Sequence, residues 1–586
     1  MNRKLFPLLI LPALSLSSCG CSSFTDSEES VLDVYNLDLV DVPVYHRVTN
    51  EIKARFIKNE PYVPYLTLKQ YASLYDSHLA DGVESTFSKK GKIVSWTVTA
   101  NNVMYFFTQI DFDKKEVVTA GSLDSTYKPA DDTRDTTSLY YGNKTEYDSK
   151  LLGSSYFAHY SFSNEEIKYF SHKGDYYLPL AFYDITYCFD TSIYFYYNYH
   201  AIYSSRDVEK FYTVNIGKDR IKSVVSEMID YKDDDIAPSY VVDLNTNLFF
   251  YLLDNFYGLK QYKGIDSAVS YCQKIGTYKD LFSKNDLART QAYAETLDRL
   301  DDNHTALVAN SFVWGSQSYN PRQYGTGCID RSSLRESLIN LRKHGEAPYT
   351  HSYINDGSYK VSDDGKTGML LFDEFKFGST SEVFDADGSI EKDAGSYDSF
   401  YSLINFFEKM KSTGTVENII IDVSTNGGGV LGVLMKLLAL ISEDNKGCLY
   451  YLEGASQQLG IATTKVDADN NGTYDTRDCY GDDFNIYMLT SDCSFSCGNA
   501  FPCLAQKMGF AKIIGRKSGG GECAVAVHYL PNGEYVYHSS NLHLGYYDET
   551  SGVFTGFENG AQPDIPISDY NNFYSINYLS NLIQNS

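Results

Sequence analysis

Three short apolar runs in the second half of the chain, each closing on small residues, constrain its fold more than any other feature. Ile419-Ile420-Ile421 leads through Asp422-Val423-Ser424-Thr425-Asn426 into Gly427-Gly428-Gly429. Ile486-Tyr487-Met488-Leu489 leads into Thr490-Ser491-Asp492-Cys493-Ser494-Phe495-Ser496-Cys497-Gly498, and Ala511–Ile514 leads into Ser518-Gly519-Gly520-Gly521. Runs this short and this apolar suit strands buried on both faces. Met369–Phe372 is a further run of the kind, and helical patterning follows the first two, over Val430–Ser442 and Cys497–Met508. From Gly368 onward the chain therefore reads as α/β.

The rest of the chain divides by pattern. Its 586 residues allow roughly three or four domains. Residues 40–215 alternate aromatic and polar positions and read as a Tyr-rich, mostly β module, which accounts for much of the 52 Tyr and 33 Phe. Within it, Tyr62-Val63-Pro64-Tyr65-Leu66-Thr67-Leu68 is echoed by Tyr176-Tyr177-Leu178-Pro179-Leu180-Ala181-Phe182. The echo resembles the copper amine oxidase N-terminal-like domain, which implies a spacer or recognition module of one or two repeats and no copper chemistry. His46, His78, His159, His172 and His200 show no metal-ligand spacing. Residues 240–310 form a helical segment, with Leu248, Tyr251, Leu252 and Phe256 on one face. Residues 311–366 connect it to a core at 367–570, and 571–586 close the chain. With 50 basic against 76 acidic residues the net charge is −26, which argues against a nucleic-acid partner.

The first segment reads as an address. Arg3 and Lys4 precede an apolar stretch from Leu5 to Leu16 that is too short to span a bilayer. Leu16-Ser17-Ser18-Cys19 resembles a bacterial lipoprotein signal. That implies removal of residues 1–18, lipidation of Cys19, and a polar tether over 19–39. An ordinary secretory signal is the other reading. Either predicts export; the first predicts anchoring to the outer face of a bacterial membrane.

Ser496 falls where a strand turns into a helix, and such a serine presents its hydroxyl above the sheet edge. The Cys497 amide then points the same way from the helix N-terminus, and Gly427 and Gly428 can bring a second N–H close, as an oxyanion requires. A base must take the serine proton. His304, in Leu300-Asp301-Asp302-Asn303-His304-Thr305, is the candidate, and Glu558 is a candidate to orient it. Ser494 and Cys497 are rival nucleophiles. Taken singly, each element also reads as an ordinary turn or helix end.

Together and in this order, the segments resemble the tail-specific, or C-terminal processing, serine peptidase family, over about 290–570. LDDNHT, IIIDVSTNGGG and Gln562-Pro563-Asp564-Ile565 carry the resemblance. It implies an α+β chain with a crotonase-like core, Ser496 as nucleophile, His304 as base, Glu558 as orienting acid, and Gly427, Gly428 and Cys497 as oxyanion donors. The lysine of the family's Ser–Lys dyad would fall at position 521, which is Gly, and Lys517 is out of register. The sequence instead resembles the branch with a histidine base and a glycine triplet at this place. Asn499 stands where many relatives carry Glu, and the short interval Ala306–Thr367 lacks an evident PDZ domain. The implied activity is an acyl-enzyme endopeptidase on polypeptides that needs no catalytic cofactor. The alternative is an inactive peptide-, glycan- or ligand-binding lipoprotein on the same fold.

A separate motif places Asp467, Asp469, Asn471, Thr473, Asp475 and Asp478 at alternating loop positions around Gly472, the spacing of an EF-hand calcium loop. It predicts a structural Ca2+; a polar Asn-Gly turn is the competing reading.

Overall fold

The computed structural model describes residues 32–41, 47–123, 126–127, 145–152, 157–191, 193–197, 201–205, 236–309, 326–346, 359–377 and 398–586. Residues 1–18, Cys19, His46 and His200 lie outside this set. Mixed α and β structure runs through the chain, as the sequence predicts.

The apolar runs build the centre of a six-stranded sheet. Its order is Tyr359–Val361, Thr367–Leu371, Asn418–Asp422, Asn485–Thr490, Lys512–Gly515, Ile565–Pro566. All neighbours pair parallel except the first two strands. Alternation of side chains along each strand feeds two cores. Ile419, Ile421 and Met488 pack under the helices Ser399–Thr413, Leu431–Leu440 and Cys497–Met508. Ile420, Tyr487 and Leu489 face the other way, against Leu338 of Thr326–His344 and Leu579 of Ile576–Gln584. Burial on both faces is why these strands carry no polar alternation.

The N-terminal part contains two sheets. One is a five-stranded antiparallel sheet; the other is a seven-stranded sheet that begins with Leu32–Asp41, so that strand takes in residues read from sequence as tether. The internal echo is structural: Tyr65–Leu66 and Asp175–Pro179 each lead into a helix, and Leu178 pairs with Leu66. The helices meet through Tyr71 and Tyr183, stacked at 4.8 Å between ring centroids.

A further seven-stranded sheet joins the parts. Its long strand Tyr535–Asp548 pairs with Ala306–Ala309, Gly447–Glu453, Cys523–Tyr529 and Val553–Gly556. Thr145–Leu152, from the N-terminal module, adds to its edge beside Gln458–Val466. The helical segment Ser239–Phe256 shares one core with the N-terminal module and with Cys523 and Val536. Cys188, Cys272, Cys448, Cys479, Cys493, Cys497, Cys503 and Cys523 are free thiols. No helix among the described residues is long and apolar enough to cross a membrane.

Candidate active site

Ser496 is the N-cap of the helix Cys497–Met508 and has φ 55° and ψ −126°, a region that L-residues avoid. Contacts on both sides hold it there. Its N–H donates to the Gly520 carbonyl at 3.0 Å, and its carbonyl accepts the Asn499 and Ala500 amides. Among the first amides of this helix, the Gly498 N–H goes to the Phe495 carbonyl, while that of Cys497 meets no acceptor among the described residues. Ser496 is half-buried, with its rivals beneath it. The Ser494 hydroxyl donates to the Val423 carbonyl at 2.7 Å and accepts the Ser491 amide. The Cys497 thiol donates to the Gly429 carbonyl at 3.2 Å, and burial pushes it up to about 12. Neither is an available nucleophile.

The glycine turn comes to within contact of the serine. A Cβ on Gly428, where φ is +107°, would lie 2.7 Å from the Ser496 Cβ and 3.0 Å from the Cys497 nitrogen. Its own N–H, however, donates to Asn426 Oδ1 at 2.8 Å. The amides left for an oxyanion on this turn are those of Gly427 and Gly429, which have no acceptor among the described residues. The turn is anchored from below: the buried Arg342 bonds Asp373, Asp422 and the Thr425 hydroxyl.

His304 follows a turn after the helix Asp286–Asp298. Asp302 fixes this turn, accepting the His304 amide at 3.0 Å and the Thr305 hydroxyl at 2.6 Å. The imidazole lies edge-on to Phe495, with ring centroids 4.8 Å apart, so the candidate base lies against the residue beside the candidate nucleophile. Its Nδ1 is buried without a hydrogen-bond partner. Burial holds the ring below its usual pKa, while the Asp302 charge and the Cys523 backbone pull it up. A neutral imidazole is the form that accepts a proton.

Glu558 reaches the same place from behind. One oxygen accepts the Gly521 and Glu522 amides at 3.0 and 3.1 Å, and burial raises its pKa. It bears on Ser496 through the glycine turn, and the carboxylate whose charge acts on His304 is Asp302. Asn499 and Ser518 form a link that sequence reasoning missed. The Ser518 hydroxyl donates to Asn499 Oδ1 at 2.6 Å, and Asn499 donates to the Phe557 carbonyl, tying the serine helix to both flanking loops. The only signal in the sequence was an amide at a position that many relatives fill with a carboxylate.

In the 467–478 loop, Asp467, Asp469 and Asp478 each bring a carboxylate oxygen within 4.8 Å of the others. Asn471 Oδ1 accepts the Thr473 amide, and Asp475 is turned toward Arg477 at 2.7 Å.

Residues 389–567 match the profile of peptidase family S41. No curated protein matches the sequence. Among solved structures, the photosystem II D1 C-terminal processing protease is similar at 12% identity and a TM-score of 0.25, over 37% of this chain and 46% of that one, so the chain spans under half of that protein. Mature CPAF is similar at 13% identity and a TM-score of 0.37, over 59% and 96%. A lipoprotein from Streptococcus agalactiae is similar at 11% identity and a TM-score of 0.33, over 61% and 100%. The family match falls on the segment that carries Ser496, both glycine turns and Glu558, so this segment of the chain is similar to the serine peptidases of family S41.

Proposed function

We propose that the chain is an exported, lipid-anchored endopeptidase that cleaves polypeptides through an acyl-enzyme on a crotonase-like core. The observation that carries this reading is the placement of a buried imidazole, its Nδ1 without a partner, beside Phe495 and next to a serine held at a strained helix N-terminus. Ser496 Oγ attacks the scissile carbonyl and its proton passes to His304. The Cys497 amide, with Gly427 or Gly429, receives the oxyanion. His304 then protonates the leaving amine, and water, deprotonated by the same ring, releases the acyl group. Glu558 acts as a positioning residue through the Gly520–Gly521 backbone.

Anchoring at Cys19 rests on the sequence of residues 1–19. Calcium in the 467–478 loop would draw Asp467, Asp469 and Asp478 together, which supports a structural role for the ion just ahead of the Asn485–Thr490 strand. A fluorophosphonate probe tests the central reading. Labelling of the wild type that disappears in both Ser496→Ala and His304→Ala is expected; a folded wild type that takes no label points instead to an inactive binding protein.

A further inference from the structure

Behind the candidate active site, the first residues of Cys523–Tyr529 meet the middle of Tyr535–Asp548. There Glu522, Cys523 and His543 each turn one ligand atom inward, all within 4.8 Å of one another. His543 Nδ1 lies 2.7 Å from Glu522 Oε1 and 3.6 Å from Cys523 Sγ. Tetrahedral zinc with bonds of about 2.0–2.3 Å to N, O and S sets its ligand atoms roughly 3.3–3.6 Å apart. The thiol–imidazole spacing is already there, and the carboxylate has to withdraw by about half an ångström from a hydrogen bond that zinc would replace.

The surroundings are built around these side chains. A Cβ on Gly556 would lie 2.0 Å from Glu522 Oε2, and one on Gly454 would lie 3.2 Å from His543 Nε2. Glu522 Oε2 accepts the Glu558 amide at 2.9 Å, which orients the carboxylate from its far side. The thiol is buried, and the side chains of His543 and Glu522 keep 18% and 12% exposure, leaving a solvent-facing side for a fourth ligand. The carboxylates of Glu522, Glu558 and Asp302 all act on the Cys523 thiol, so the spot is rich in negative charge.

We propose that Glu522, Cys523 and His543 form a zinc site whose occupancy slows Ser496. A thiolate, a carboxylate and a neutral imidazole balance the charge of Zn2+, and this mix of S, O and N donors favours zinc over calcium or magnesium. Binding exchanges the thiol proton for the metal and releases that proton to water. The link to catalysis is short: the Cys523 backbone acts on His304, and Glu522 accepts the amide of Glu558. The slowing of Ser496 rests on the serine peptidase reading; the metal site does not.

Cobalt is the probe. Co2+ added to the full chain should give the intense near-ultraviolet absorption of a thiolate–cobalt bond, which cobalt held by the aspartates of the 467–478 loop cannot produce. The band should vanish in Cys523→Ser, and zinc affinity should fall at least about 100-fold in His543→Gln, more than loss of an outer partner costs. Zinc should slow fluorophosphonate labelling of the wild type about tenfold, and leave labelling of His543→Gln unchanged. A wild-type cobalt complex without the band overturns the site, whatever the variants do. A band with an unchanged labelling rate overturns the link to Ser496. A folded wild type that shows the band but takes no label keeps the site and removes both the link and the peptidase reading.

Discussion

The amide of Ser496 donates to the carbonyl of Gly520 across 3.0 Å, and the next amides along that glycine turn, those of Gly521 and Glu522, donate to Glu558. The position of Ser496 thus depends on a carboxylate that is 62 positions later in the chain. Glu558→Gln keeps a carbonyl acceptor and loses the charge. Exchanging a charge-assisted hydrogen bond for a neutral one costs about 1–1.5 kcal/mol. Fluorophosphonate labelling of Ser496 should therefore slow about tenfold, with the melting temperature little changed.

Gly428→Ala should abolish labelling. The new methyl would press on the Ser496 Cβ and the Cys497 nitrogen, and φ is +107° at this position. An alanine there costs about 1–3 kcal/mol in backbone strain alone. Thermal unfolding separates this local effect from global loss of structure. Gly427→Ala, which meets nothing within 4 Å, is the control and should keep most of the activity.

The pH profile reports on His304. Its pKa in the folded chain is lowered by burial, and an imidazole accepts a proton only when neutral. Labelling should hold its plateau from neutral pH down through about 6.5, the ordinary imidazole value, and fall only below that. Asp302 contributes charge that pulls the pKa up, so Asp302→Asn should move the acidic limb to still lower pH. A limb at or above the ordinary value in the wild type would mean that the ring is not buried as described.

The part of the site that was legible in the sequence is the part made by neighbours in the chain. A buried run, small residues and a helix announce Ser496 and the Gly427–Gly429 turn, because strand, turn and cap chemistry are local. The positive φ of Ser496 was hidden, since only long-range contacts force a non-glycine residue there. The use of the Gly428 amide by Asn426 was hidden too: every glycine in a triplet looks equally free on paper. Glu558 was found by its place in a motif, but its partners are backbone amides, which have no sequence identity. The same limit applies to the fold. The buried strands of the core were readable, whereas the pairing of Thr145–Leu152 with Gln458–Val466 joins segments some three hundred positions apart.

Calcium should raise the melting temperature, and a chelator should reverse the gain. At a free concentration 100 times Kd, binding to the folded state alone contributes about 2.7 kcal/mol. Asp469→Asn should remove the response without lowering the metal-free melting temperature, because Asp469 is exposed and bonds only within its loop among the described residues. A wild-type melting curve indifferent to both additions would identify the loop as a plain polar turn.

The strand Thr145–Leu152 has one consequence for how the molecule is made. It is synthesised long before Gln458–Val466, the strand it pairs with, and a ribosome delivers chain at about 5–20 residues per second. For a time on the order of fifteen to sixty seconds it has no complement, and an unpaired edge recruits strangers. Glu146, Asp148 and Lys150 lie along it at every second position, and charged side chains on a strand edge discourage such pairing. The same geometry means that a chain trimmed to the family segment would carry the opposite bare edge, so the peptidase domain is better expressed with its first third attached.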